Sequence, residues 1–204
     1  ATRELRVQGQ PSKLPDGHFN ESLTFTTTNT ADPSKPGQII YSGAIGDSMD
    51  GKLLANVIKN GPGTLRLTGD STASGGFRIN DGLAVVEGKI ATPTAVESGA
   101  RITGSGEVAS IVSVKSGATI GSDGVFTVGA LLTQTGSTIQ IDAIETGDTL
   151  IADRIDVTNA AKFEQGTIVD VVFDASDKLP ALSGINIVAA EGGVRGFAPR
   201  IVLD

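Results

Sequence analysis

The sequence predicts an all-β chain wound as a single-stranded solenoid, a parallel β-helix. Three observations carry this: a bias toward β-branched side chains, a doubled glycine content and a short internal repeat. Val and Ile together number 35 against 14 Leu, and 21 Thr join them. β-Branching restricts χ1 in a helix but costs little on a pleated surface, so strands are favoured. Gly occurs 27 times in 204 residues and Pro 8 times; the glycine share is about twice the usual one. No Gly-X-Y period appears, which excludes collagen, and frequent chain reversal accounts for the glycines.

The repeat gives the solenoid its pitch. Val96 to Ile102 (VESGARI) and Val114 to Ile120 (VKSGATI) share V-x-S-G-A-x-I at an offset of 18 residues. Gly82, Gly99, Gly117 and Gly136 follow similar apolar segments at intervals of 17, 18 and 19, and the apolar residue three places after the glycine recurs as Ile102, Ile120 and Ile139. A unit this short holds two or three strands of about 4–5 residues plus turns and cannot close a core alone, so copies must stack. Stacking places neighbouring strands parallel and in register, with glycine at bends where a side chain would collide or φ must be positive. A leucine-rich repeat fits less well, since its regular leucines and asparagine ladder are missing.

Within a coil, alternation sets which side chains enter the core. Leu65 and Leu67 flank Arg66, Ile139 and Ile141 flank Gln140, and Ile155 and Val157 flank Asp156, so aliphatic residues point in and charge points out. Each buried Val, Leu or Ile contributes roughly 1.5–3 kcal/mol, enough for several per coil to offset backbone ordering without disulfides. No stretch of 12 or more residues keeps an i, i+3, i+4, i+7 apolar stripe, so almost no helix is expected. In residues 1–38, Pro11, Pro15, Pro33 and Pro36 predict irregular or partial coils, with Ser22 to Thr28 as one strand.

Composition excludes several function classes. The net charge is −7, Lys and Arg are scattered singly, and 4% of residues are aromatic, so neither a phosphate-tracking basic stripe nor a base-stacking platform exists and nucleic acid is not an expected partner. Cysteine is absent, which removes disulfides, thiolate catalysis and Cys-based zinc sites. No 18-residue apolar run occurs, and Ala1 to Gln10 (ATRELRVQGQ) lacks the apolar core of a signal peptide. An exported chain would therefore have had its targeting segment removed.

One stretch carries a family resemblance. Lys59 to Val86 reads KNGPGTLRLTGDSTASGGFRINDGLAVV, and it resembles the passenger-associated repeat of autotransporters, K-x-G-x-G-T-L-x-L-[ST]-G-x-N-T-Y-[ST]-G-G-T-x-[IV]-x-x-G-x-L. Gly61, Gly63, Thr64, Leu65, Leu67, Gly69, Thr72, Ser74, Gly75, Gly76, Ile79 and Gly82 match, while Ser71, Ala73 and Phe77 replace the usual Asn, Tyr and Thr. Ser98 to Val108 (SGARITGSGEV) is similar to S-G-A-x-L-x-G-S-G-x-V. Asp153 to Val171 looks like D-x-L-x-V-x-G-x-A-x-L-x-G-T-L-x-V with Asn159 in place of a glycine, and Ile185 to Phe197 (INIVAAEGGVRGF) resembles x-L-L-x-A-x-G-G-V-x-G-x-F. Four motifs in family order over about residues 40–197 are more specific than any one of them.

The resemblance implies a right-handed parallel β-helix. Residues 1–145 would form passenger coils, and residues 146–204 a C-terminal capping, autochaperone-like region of the same helix that folds first and templates the coils behind it. It further implies a bacterial cell-surface or secreted location and a cognate outer-membrane β-barrel translocator, although no ten-residue lipid-facing strands with aromatic girdles occur here. The expected role is a rigid stem that supports folding during secretion and presents an adhesin or virulence surface. A host-cell or matrix ligand and self-association are possible partners, and a carbohydrate-active β-helix, lyase or hydrolase, is the rival reading.

No catalytic, cofactor-binding or metal site is expected from the residues. Gly46 to Lys52 (GDSMDGK) fits G-x-x-x-x-G-K, but Leu53 replaces the magnesium-holding Ser or Thr, and Asp47 and Asp50 would repel phosphate. Gly104-Ser105-Gly106 followed by Ala109 imitates a dinucleotide fingerprint yet leads into a strand-like run, so no helix N-terminus awaits a pyrophosphate. Asp142, Asp148, Asp153 and Asp156 read as solvated loop acids. The calcium nonapeptide G-G-x-G-x-D is missing, and a sugar platform has no Trp and only Tyr41 to use. His18, the single histidine, has no G-x-S-x-G partner. Gly192 to Gly196 (GGVRG) could form an anion nest, but its place in the terminal motif favours a bend.

Overall fold

A computed structural model describes residues 12–13, 19–27, 37–47, 53–146, 149–173 and 186–203. Among them there is no α-helix, and the strands assemble into a twelve-stranded and a nine-stranded sheet, almost entirely parallel. The chain is a parallel β-helix, with three faces to each coil.

The first face is the nine-stranded sheet. Gln38–Tyr41, Thr64–Leu67, Leu83–Val86, Arg101–Gly104, Thr119–Gly121, Thr138–Thr146, Ile168–Phe173 and Arg200–Leu203 lie side by side, each paired parallel with the next. The larger sheet bends into the other two faces. Lys89–Ile90, Arg154–Val157 and Val188–Ala190 belong to the second face, and Phe19–Thr26, Leu53–Asn60, Gly76–Ile79, Thr94–Val96, Ala161–Phe163 and Val194–Gly196 to the third. Glu107–Val114 and Val125–Thr133 round the corner between these two faces as single strands, and the register shift between Val108 and Ile111 marks the bend.

Register shows why 18 residues make a coil. On the first face Leu65 pairs with Ala84, Ala84 with Ile102, Ile102 with Ile120, Ile120 with Ile139, Ile139 with Val169 and Val169 with Ile201. Ile102 and Ile120, the matched isoleucines of the two V-x-S-G-A-x-I copies, stack one above the other and are both fully buried. The second face carries Ile90, Val108, Val128 and Val157 in the same way, and the third carries Val57, Phe77, Thr94, Val112 and Leu131. Each inner side chain touches its counterparts above and below, so one dry column is shared by all coils.

The expected glycine column is present and longer than the sequence spacing alone indicated. Gly82, Gly99, Gly117 and Gly136 all turn the corner from the third face to the first with φ of +69° to +82°, and Gly61 and Gly166 join them at +79° and +86°. Around Gly99, Gly117, Gly136 and Gly166 the residue after the glycine donates its N–H to the carbonyl three places back. A left-handed glycine at the third position of such a turn is the type II arrangement.

Two features depart from the simple pattern. Lys59 points inward: it stands between Phe25 and Ile79 in a column whose other polar side chain is Thr133, and it is fully buried, which corrects the rule that charge faces out. After Thr138–Thr146 the chain makes a hairpin, with Thr149–Ala152 returning antiparallel, before resuming the second face. This lengthens the coil between Ile139 and Val169 and leaves Ile144 and Ile151 paired and exposed. The strand expected at Ser22 to Thr28 is Phe19–Thr26, paired along its length with Leu53–Asn60.

Candidate functional site

The most built-up polar group sits at the corner where the third face turns into the first, within the Lys59 to Val86 stretch. Alternation along Leu53–Asn60 sends Val57 and Lys59 to the same, inner side. The Lys59 Nζ donates to Gly61 O at 2.5 Å, Thr27 Oγ1 at 3.0 Å, Asp81 O at 3.0 Å and Asn60 O at 3.1 Å. Thr27 Oγ1 also accepts from Gly63 N at 2.9 Å and donates to Asn60 O at 3.2 Å. Desolvation holds the Lys59 ammonium below its ordinary pKa, and the Asp81 charge works against that shift.

A second anchor lies one corner away. Asp47 accepts from Ala55 N at 2.8 Å, Ser74 N at 3.1 Å and Ser74 Oγ at 2.5 Å. Burial opposes its ionisation, but those three hydrogen bonds prevail and lower its pKa. The nucleotide-loop imitation is thus resolved at its described end: the Asp47 carboxylate ties the matched Ser74 of the repeat to the preceding coil, and positions 48–52 lie outside the described residues. Of the residues that depart from the repeat pattern, Ala73 and Phe77 are both in the core, a small side chain where the pattern has Tyr and a large one where it has Thr.

The remaining candidates take structural places. Gly104 ends one strand and Gly106 precedes the next, with their backbones against Val86 O and Gly88 O, so this fingerprint is a coil corner. In GGVRG the N–H groups of Gly192 and Gly193 donate to Asn159 O at 2.8 Å and Ala190 O at 3.0 Å, which spends them on a bend. Asn159, standing for the family's glycine, donates its side-chain amide to Gly129 O at 2.8 Å. Asp156 accepts from Arg154 Nη2 at 2.9 Å. His18 and Asp148 lie outside the described residues, and among the described residues no group of three or more His, Cys, Asp or Glu is placed to hold a metal ion.

The fold does bring three acids together, Asp142 and Asp153 of the sequence group and Asp123 from outside it. Half-buried Asp153 accepts from Gly124 N at 3.0 Å and feels both Asp142 and Asp123, while its own N–H donates to Asp142 O. Burial raises the Asp153 pKa above 3.8, the Gly124 hydrogen bond opposes this, and the two neighbouring charges add to the rise. A carboxyl whose folded pKa is raised gives stability that is complete below its unfolded pKa and lost as pH climbs through the folded value. Asp153→Asn keeps the acceptor for Gly124 and deletes the charge. Its Tm at pH 7 should exceed the parent's by about 1–3 °C, with the gain vanishing near pH 3 in thermal melts.

Phe25, Phe77, Phe126 and Phe163 are in the core, and Phe25 meets Tyr41 edge to face at 5.4 Å. A shallow outer groove on the third face is lined by Gly75, Gly76, Phe77, Arg78, Pro93 and Ala95 among others, and Phe77 is itself buried in the core. At the far end of the stack, the strands of residues 186–203 each pair on one side with the preceding coil, and Val194, Phe197, Ile201 and Leu203 are 54%, 57%, 58% and 41% exposed.

Stacked three-faced coils with one aliphatic interior define a parallel β-helical solenoid as the class of protein. Residues 57–84 match the passenger-associated-transport-repeat family, a segment that includes Lys59, its glycines Gly61 and Gly63, the anchored Ser74 and the first-face corner at Gly82. The match marks residues 57–84 as a repeat of the autotransporter-passenger type and supports an autotransporter passenger domain as their setting. The family implies a location at the cell surface or in the secreted fraction, and a linked outer-membrane translocator domain. No curated protein matches the chain.

Proposed function

We propose that this segment is a rigid stem of the passenger, supporting folding during secretion and holding an adhesive or virulence surface away from the cell. The observation that carries the reading is the unbroken first-face column from Leu65 to Ile201, which gives a stiff axis with no domain joint along it. The parallel pairing of Arg154–Val157 and Ile168–Phe173 with Val125–Thr133 and Thr138–Thr146 supports an autochaperone role for residues 146–204, since a coil that forms first offers its strand edge to the coil before it as a template. No catalytic role is assigned to the chain.

The order of folding tests the proposal. In refolding followed by pulsed hydrogen exchange, amides of Arg154–Val157 and Ile168–Phe173 should gain protection before those of Thr64–Leu67 and Arg101–Gly104. Earlier protection of the latter pair would remove the autochaperone role. Binding of the purified chain to host cells or matrix would locate the adhesive surface here, whereas its absence would leave the stem with a purely supporting part.

A further inference from the structure

We propose that the Lys59 ammonium is a tethered structural cation, filling a monovalent-cation site whose oxygens come from three successive coils, and that K-x-G-x-G is the sequence that builds this site. Four oxygens surround Nζ within 2.5–3.1 Å. Thr27 Oγ1 belongs to the coil before, Asn60 O and Gly61 O to the lysine's own coil, and Asp81 O to the coil after, as the pairing of Phe25 with Lys59 and of Lys59 with Ile79 fixes. Three of the four are backbone carbonyls, and none of the four is a carboxylate oxygen. Such a set of neutral oxygens suits a compact, weakly held monocation, and an ammonium satisfies it from within by sharing its three N–H donors among the four oxygens.

The glycines of the motif explain why the oxygens can come so close. A Cβ on Gly61 would lie 1.9 Å from Thr27 O, and one on Gly63 would lie 2.0 Å from Gly37 O and 2.9 Å from Thr27 Cβ. Any side chain at either position pushes the Thr27 coil away from Lys59 and opens the cage. The lysine supplies the charge, and the two glycines let the preceding coil settle onto it. Farther along the same corner no cation is needed: Thr133 and Thr167 close the equivalent space through a hydroxyl pair at 2.8 Å, and Thr167 donates onward to Glu164 O.

Lys59→Ala removes the atoms of propylammonium and leaves the cage, so the full chain should show chemical rescue. We expect the variant to lose about 10 °C of Tm and to gain hydrogen exchange at Leu23, Phe25 and Thr64–Leu67, while Thr119–Gly121 stays protected. Added propylammonium should restore at least half of the loss, and tetramethylammonium at equal ionic strength should restore none because it cannot donate. Lys59→Met, which fills the space without a charge, should be as destabilised and not rescued. Wild-type stability in Lys59→Met, or equal effects of the two ammonium salts on Lys59→Ala, would overturn the proposal. Where both variants fail to fold, the parent chain decides. Its Lys59 ammonium protons should exchange slowly and resist acylation, in contrast to Lys89 and Lys162, and equal reactivity of the three would refute the site.

Discussion

Ile155→Asp should abolish the protease-resistant core. Ile155 is fully buried and stacks between Phe126 and Val188 on the second face. The substitution forfeits roughly 1.5–3 kcal/mol of apolar burial and places a carboxyl among aliphatic groups, where the ionised form costs several kcal/mol and even the protonated form lacks partners. Against a typical fold stability of about 5–15 kcal/mol, that is a large fraction concentrated in one coil. A coil that fails to form leaves its neighbours with an exposed edge, because each is held only by the coils beside it. Limited proteolysis and circular dichroism should show loss of strand signal and of any resistant fragment spanning residues 125–171. A variant as resistant as the parent would contradict the packing of this column.

Gly104→Ala should come next in severity, and Gly99→Ala is its control. At Gly104 φ is +153° and a Cβ would fall 1.9 Å from Val86 O and 2.7 Å from Val86 C, so one added carbon meets the backbone of the coil below, which cannot swing aside. At Gly99 φ is +82° but nothing lies within 4 Å of the Cβ position. Alanine there suffers only the left-handed backbone penalty, about 1–2 kcal/mol. Gly104→Ala is expected to lower Tm by more than about 10 °C or to prevent folding, and Gly99→Ala by about 2–8 °C. Equal losses measured by calorimetry would show that conformation rather than contact between coils sets the requirement at Gly104.

The difference between these glycines also shows what could be read from the sequence. The coil period was legible because Ile102, Ile120 and Ile139 recur at nearly constant spacing behind glycines that share one turn geometry. Local repetition of this kind survives folding unchanged. The inward path of Lys59 was less accessible: its alternation with Val57 places both on the inner side, but lysine is normally solvated. The groups that make its burial tolerable lie 32 and 22 residues away in Thr27 and Asp81. The meeting of Asp153 with Asp123 depends likewise on coil stacking across the Thr138–Ala152 hairpin, where the regular period is interrupted. The anchoring role of Asp47 was not legible for the same reason, since its partners Ala55 and Ser74 are on a strand and a corner that the fold alone brings to it.

The glycine corner carries a mechanical consequence. Gly99 N–H donates to Gly117 O, Gly117 N–H to Gly136 O and Gly136 N–H to Gly166 O, so these peptide groups point head to tail along the long axis. A force applied at the two ends loads them in series and not side by side, and the weakest link yields first. Peeling one regular turn frees about 6 nm of extended polypeptide, while the turns still wound remain intact, so tension is relieved in discrete steps.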